Sequence, residues 1–153
     1  MDQSISNEIS ISVSDMRDPA LFEEVQEFFH RHTNRSFNEH NMLFQARLDG
    51  ELIGLVRLCH EENRFILRSM EIKKEHQRKR IGTRLLQSFD EYLRAREISL
   101  CYCLPYDHLV SFYSQIGFRT VEVEAELPTF LRLRLEAYRR KRPEARFLGM
   151  VRP

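Results

Sequence analysis

Glycine and proline are scarce in this chain, five of each among 153 residues. That excludes a collagenous or low-complexity disordered polymer. Long hydrophobic runs are missing too, since nothing approaches the roughly 20 apolar residues of a membrane-spanning helix. The opening MDQSISNEIS lacks the basic start and apolar stretch of a secretory signal, so a cytoplasmic location is expected. Cysteine is confined to Cys59, Cys101 and Cys103, an odd number at spacings that match no zinc pattern. Free buried thiols in a reducing compartment are therefore expected, and no metal. Neither sign of charge dominates: 24 basic against 23 acidic residues leave a net charge of +1. With a pI near 7.8 the chain is not the clearly basic kind that binds nucleic acid.

What is present is ordinary globular material, with 42% hydrophobic and 31% charged residues. The length fits one domain, 1–153, with one real core and no need of a disulfide or metal staple. The charge is unevenly spread. Residues 1–72 carry a net of −6 and residues 73–153 a net of +7, so the second half is the side that meets an anion.

Alternation of Ile9, Ile11 and Val13 with serines predicts a first strand. Asp18-Pro19 opens a helix whose apolar face is Leu21, Val25, Phe28 and Phe29, and the polar stretch 31–41 predicts a loop or broken helix. Met42, Phe44, Ala46 and Leu48 alternate, Asp49-Gly50 follows, and ELIGLVRLC comes next, the strongest hairpin signal in the chain. Residues 65–72 predict a third strand of that meander. An amphipathic helix from about 81 places Ile81, Leu85, Leu86, Phe89, Tyr92 and Leu93 on one face. Strands are further expected at 98–104, 117–123 and 147–151, with helices at 108–116 and 127–141. The order β-α-β-β-β-α-β-α-β-α-β gives the α/β (α+β) class with one mixed central sheet.

The segment that carries chemistry runs from strand 65–72 through loop 73–80 into the helix. A strand feeding a helix through a basic loop leaves backbone N–H groups free at the helix N-terminus, where they and the helix dipole bind phosphate. Residues 73–84 (KKEHQRKRIGTR) hold six basic residues against one acidic. The spacing is neither that of a Walker loop nor that of a dinucleotide-binding fingerprint. Alone, such a run also fits a solvated face or a nucleic-acid patch. A second segment, FYSQIGF at 112–118, places Tyr113 near a helix end four residues before Gly117.

Taken together, in this order and spacing, the two segments resemble the GNAT superfamily of acyl-CoA-dependent N-acyltransferases. Its pyrophosphate loop reads Gln or Arg, two free positions, Gly, one free position, then Gly or Ala. Here that is Gln77-Arg78-Lys79-Arg80-Ile81-Gly82, with Thr83 following. The family's Tyr before a Gly-Phe turn matches Tyr113 with Gly117-Phe118, and FQARLDGELIGLVRL (44–58) is similar to its hairpin. The resemblance covers residues 42–118. Residues 9–30 fit the first strand and helix, and 124–153 depart from the commonest ending. Two positions depart within the motifs: Arg80 stands at the usual first Gly, and Tyr106 where many members have Asn. If position 80 needs a positive φ, the side chain there costs on the order of 1 kcal/mol; otherwise the loop takes a neighbouring conformation.

The resemblance implies a mostly antiparallel sheet with a splayed parallel pair, around 68–72 and 98–104, and helices on both faces. It implies acetyl-CoA or coenzyme A as co-substrate, with Met70, Glu71 and Ile72 beside the pantetheine arm. Backbone N–H groups of Arg78, Lys79, Arg80, Ile81, Gly82 and Thr83, with Gln77, would hold the pyrophosphate. It implies direct transfer of the acetyl group to a primary amine, with Tyr113 as general acid to the departing sulfur. Glu71, His60 and Asp107 are all candidate bases, and a water chain serves as well. A small-molecule or peptide amine is the expected acceptor, and the assembly a monomer or homodimer. An acyl-CoA sensor of the same fold without turnover is the alternative. The helix 127–142 is expected to wall the acceptor side through Pro128-Thr129-Phe130.

Overall fold

The computed structural model describes residues 8–29 and 41–153. The expected loop at 31–41 lies outside them except for Asn41. Seven strands form one sheet in the order β1-β2-β3-β4-β5-β7-β6. Strands β1 (Ile9–Asp15), β2 (Met42–Leu48), β3 (Glu51–Glu61) and β4 (Arg64–Ile72) make an antiparallel meander. Helix α1 (Pro19–Phe28) follows β1, and Asp18 caps it by accepting from the Ala20 N–H. Helix α2 (Ile81–Ala95) joins β4 to the parallel strand β5 (Cys101–Cys103). Helix α3 (Val110–Ser114), strand β6 (Arg119–Thr120), helix α4 (Thr129–Lys141) and strand β7 (Met150–Arg152) complete the chain. The expected class, mixed and mostly antiparallel with one parallel pair, is the one observed.

The run of apolar residues in β3 is continuous because both faces of the sheet are covered. Leu43, Leu52 and Leu55 pack with Val25 and Phe29 of the α1 segment on one face. Phe44, Ala46, Ile53, Val56 and Leu58 pack with Leu85, Leu86, Phe89 and Leu93 of α2 on the other. Gly54 sits in the middle of β3 because a Cβ there would lie 2.7 Å from the Ile72 side chain opposite.

The second half departs from the expected lengths. The strand predicted over 98–104 begins only at Cys101, because Glu97 and Leu100 hold left-handed backbone (φ 53 and 58) that breaks extension. The strand predicted over 117–123 shrinks to Arg119–Thr120. Its alternating valines are not buried: Val123 is exposed, and a 3₁₀ turn over Glu124–Glu126 follows. Arg139 of α4 pins that turn through two hydrogen bonds to the Glu124 carboxylate, at 2.8 and 2.6 Å. The helix expected over 108–116 is a 3₁₀ turn at Asp107–Leu109 followed by the five residues of α3. The last strand lies at 150–152 rather than 147–151, although Phe147 still bridges to Tyr106.

Candidate active site

The parallel ladder between β4 and β5 is two pairs long, Phe65 with Cys101 and Ile66 with Tyr102. Beyond it the strands part, and among the described residues no strand pairs with the β5-side edge of β4 over 68–72. A bulge deepens the parting. The β3–β4 register shifts by one residue between Leu55–Glu71 and Arg57–Arg68, with Ser69 at φ 64. Arg57, fully buried under the bulge, donates to Ser69 Oγ from Nε (3.2 Å) and Nη2 (3.0 Å), and to Asn41 Oδ1 at 2.9 Å. An arginine inside LIGLVRLC is a sequence signal that periodicity alone does not interpret.

The gap is a cleft of about 100 Å³ lined by Ile66, Leu67, Arg68, Ser69, Cys103, Leu104, Pro105, Tyr113, Arg134 and Tyr138. Successive strand residues face opposite sides. Leu67 belongs to the core beneath α2, with Tyr113, Met70 and Ile72. Arg68 therefore faces the other side, where α4 contributes Arg134 and Tyr138. The cleft passes through the sheet.

At the C-terminal end of β4 the chain enters the basic loop. Gln77 Nε2 donates to the Ile72 carbonyl at 3.1 Å and fastens the loop to the strand. Arg78 and Arg80 both take left-handed backbone, at φ 65 and 62. Position 80 thus has the positive φ that the usual glycine would hold. A left-handed residue followed by helical ones turns successive N–H groups to one side, an anion-binding arrangement. Arg80 at the N-cap of α2 makes no side-chain capping bond, so among the described residues no cap occupies the N–H groups of its first turn. Arg78, Lys79 and Arg80 are exposed. Gly82 has neither a positive φ nor a clash behind it: a Cβ there would rest in ordinary contact, 3.4 Å from the Phe112 ring.

Tyr113 is buried, held by edge contacts to Phe112 and Phe118 at centroid distances of 5.0 and 6.1 Å. Gly117, at φ 96, makes the turn that ends its helix. Burial pushes the phenol pKa up, with Cys103 adding to it, so the phenol is protonated at neutral pH and able to donate. Burial likewise raises the Cys101 thiol to about 12 and the Cys103 thiol well above its usual value. Neither is a nucleophile at neutral pH.

The candidate bases do not reach the cleft. Glu71 and Asp107 are exposed outside its lining, and His60 stacks on Phe65, centroids 4.7 Å apart, at the far end of the strands. Among the described residues, no Asp, Glu or His lines the cleft. Phe130 does not wall it either. It lies in a second depression of about 390 Å³ with Glu62, Arg64 and Tyr102, because α4 begins beyond the cleft and crosses it one turn later at Arg134. Tyr106 stacks on Phe147 at 4.6 Å, which accounts for the aromatic at that position.

The sequence pattern of the acetyltransferase (GNAT) family matches residues 9–118. The chain belongs to this family. It is an acyltransferase by that membership, and solved structures share its fold. Escherichia coli ElaA is 14% identical over 95% of this chain and 100% of its own, with a TM-score of 0.68. An acyl-CoA N-acyltransferase from Pseudomonas aeruginosa is 17% identical over 95% and 100%, with a TM-score of 0.65. N-acetylglutamate synthase from Neisseria gonorrhoeae, complexed with coenzyme A and N-acetyl-glutamate, is 18% identical with a TM-score of 0.62. The match covers 94% of this GNAT chain but only 35% of that protein, so the chain spans about a third of its length. At such identities the likeness carries the fold. No curated protein matches the chain. No helix among the described residues is long and apolar enough to cross a membrane.

Proposed function

We propose that this GNAT protein transfers an acetyl group from acetyl-CoA to a primary amine by direct attack. The observation that carries the reading is the cleft that opens where the β4–β5 ladder stops at Ile66–Tyr102, with an anion-binding loop at one end and Tyr113 in its wall. Acetyl-CoA fits these residues. The uncapped first turn of α2 and the left-handed backbone at Arg78 and Arg80 offer N–H groups to a pyrophosphate. Arg78, Lys79 and Arg80 add charge, and the open edge of β4 at Met70, Glu71 and Ile72 offers backbone groups to the amides of a pantetheine arm. Relatives of the same fold are known with coenzyme A or acetyl-CoA bound, including the Neisseria and Elizabethkingia anophelis proteins, which supports the choice of donor.

When bound, acetyl-CoA supplies a thioester whose carbonyl an amine attacks and whose thiolate leaves. Tyr113 donates the phenolic proton to the sulfur as it departs, since burial keeps that proton in place at neutral pH. Leu67, Cys103 and Leu104 form a largely apolar wall that keeps bulk water from the thioester. With no carboxylate or imidazole in the lining, the amine loses its proton to water at the cleft mouth. The test is CoA release from acetyl-CoA with a panel of amino acids, polyamines, aminoglycosides and peptides. Release with at least one amine supports the enzyme. Acetyl-CoA binding without release from any amine replaces it with a sensor.

A further inference from the structure

We propose that the acceptor carries a carboxylate close to its amine, and that Arg134 and Arg68 recognise it; this deepens the acyltransferase reading and rests on it. Three charged side chains from three elements meet on the face of the cleft opposite Tyr113. Glu61, at the end of β3, accepts from Arg134 Nη2 at 2.6 Å and from Arg68 Nη1 at 3.2 Å. Both arginines line the cleft and Glu61 does not. Two guanidinium groups share one carboxylate, so a net positive charge faces the cavity. One donor is left over. Arg134 Nη1 is shielded from solvent and has no hydrogen-bond partner. An unsatisfied donor in such a place is costly, the more so on a charged group, and a ligand anion in the cleft satisfies it.

The geometry also limits which anion this is. The phosphates of acetyl-CoA belong at the loop after β4, where the open N–H groups and Arg78, Lys79 and Arg80 stand. Arg68 lies before the bulge, on the strand segment next to the Ile66–Tyr102 pair, and faces the side of the sheet that α4 covers. Arg57 pairs with it across β3, which marks this face as the one opposite α2. Tyr138 adds a hydroxyl-bearing ring to the same wall. The opening is small, about 100 Å³. An amine that reaches the thioester from this side, with an anion in contact with Arg134, is an amino-acid-type molecule. The free Arg134 Nη1 offers such a carboxylate one charge-assisted hydrogen bond, with the Arg68 guanidinium adding positive charge beside it.

The experiment compares acceptors that differ only in charge: amino acids against their α-amides, and aspartate and glutamate against asparagine and glutamine. The ratio of kcat/KM within each pair is measured for the wild type, Arg134→Gln, Arg68→Gln and Glu61→Gln. A carboxylate preference that falls at least about tenfold in Arg134→Gln is expected, and the pair in which it falls tells an α-carboxylate from a side-chain one. Glu61→Gln removes the competing anion and raises the preference, a direction that loss of structure does not produce. Binding of N-acetyl amino acids and their amides to the CoA-saturated protein is followed in parallel by calorimetry. A wild type that uses both members of every pair equally, or a preference that Arg134→Gln and Glu61→Gln both leave unchanged, overturns the proposal while the acyltransferase reading stands. Arg134-dependent binding of the acetylated acids with no amine turned over supports the carboxylate site and overturns the acyltransferase reading. Turnover of no amine and binding of no acid overturns both.

Discussion

The two ends of the cleft are built in opposite ways. The proposed phosphate end is made of consecutive residues, 77–83, and would act through main-chain N–H groups, with exposed cations as an addition. The other end is made of Glu61, Arg68 and Arg134, which three separate elements bring into contact. It acts through side chains alone. Main-chain recognition is tied to local backbone conformation, so it suits the invariant part of a reaction. Side-chain recognition changes with single substitutions, so it suits the part that differs among relatives. Tyr113 stands between the two ends, and the predictions below ask how independent they are.

The largest effect is expected midway. Tyr113→Phe keeps the ring contacts to Phe112 and Phe118 and removes only the proton. Positioned proton transfer typically contributes 10²–10⁴-fold. Turnover at saturating acetyl-CoA should fall by at least about tenfold, with acetyl-CoA affinity and melting temperature unchanged. Unchanged turnover with a true acceptor would reduce Tyr113 to a packing residue.

Next comes the phosphate end. In Gly82→Val the Cβ would already touch the Phe112 ring at 3.4 Å, so the γ carbons displace that ring or point into the space needed by the pyrophosphate. Acetyl-CoA affinity should drop about tenfold or more by calorimetry, since close backbone approach is what the glycine provides. The acceptor pair ratios should not move. A shift in both would show that the two ends communicate.

The contrast also explains what could be read from the sequence. The loop and the helix after it were legible because their residues are adjacent and their conformations local: Asp49-Gly50 marks the hairpin, the stripe Ile81 to Leu93 marks α2, and the motif lies between. Even the positive φ at Arg80 follows from the position of the missing glycine. The other end was not legible, because residues 61, 68 and 134 meet only once β3, β4 and α4 are packed. No periodicity reports that meeting. The helix expected over 127–142 forms, with Leu131 and Leu135 buried, yet the turn of α4 that reaches the cleft is at Arg134 and not at Phe130. Short strands failed for a related reason. The alternation predicts a strand over 117–123, but only Arg119–Thr120 pair, and the chain turns at Glu124–Glu126, where Arg139 of α4 holds Glu124.

Arg80 separates backbone from charge at the phosphate end. Arg80→Gly relieves a left-handed side-chain residue, and the protein should gain about 0.5–1 kcal/mol of stability in urea titration. Acetyl-CoA affinity should fall only a fewfold, and less at high salt, because the lost charge is exposed and screened. Arg80→Ala keeps the strain and loses the charge. If Arg80→Ala alone loses affinity, the side-chain charge is not the cause and the backbone arrangement is.

The smallest effect belongs to the side-chain end, in the pH dependence of stability. Burial raises the Glu61 pKa, but hydrogen bonding and charge from Arg134, with Arg68 behind it, outweigh burial and hold the carboxyl below its usual range. A carboxyl depressed in the folded state contributes stability that is fully present above its unfolded value, near 4.3. That contribution is lost as pH falls through the folded value. Glu61→Gln removes it and leaves Arg68 and Arg134 facing each other without an anion. At neutral pH the variant should therefore be less stable by roughly 1 kcal/mol, the upper end for partly exposed ion pairs. The gap should begin to narrow as pH falls below the unfolded value and close as it falls through the lower folded value, where wild-type Glu61 takes up its proton. Denaturant unfolding of both proteins between pH 3 and 7 measures it. The same substitution is expected to raise carboxylate preference, so stability and recognition should move in opposite directions. A gap that does not change with pH would mean that Glu61 acts by packing, and that the cleft's net charge is not set by this cluster.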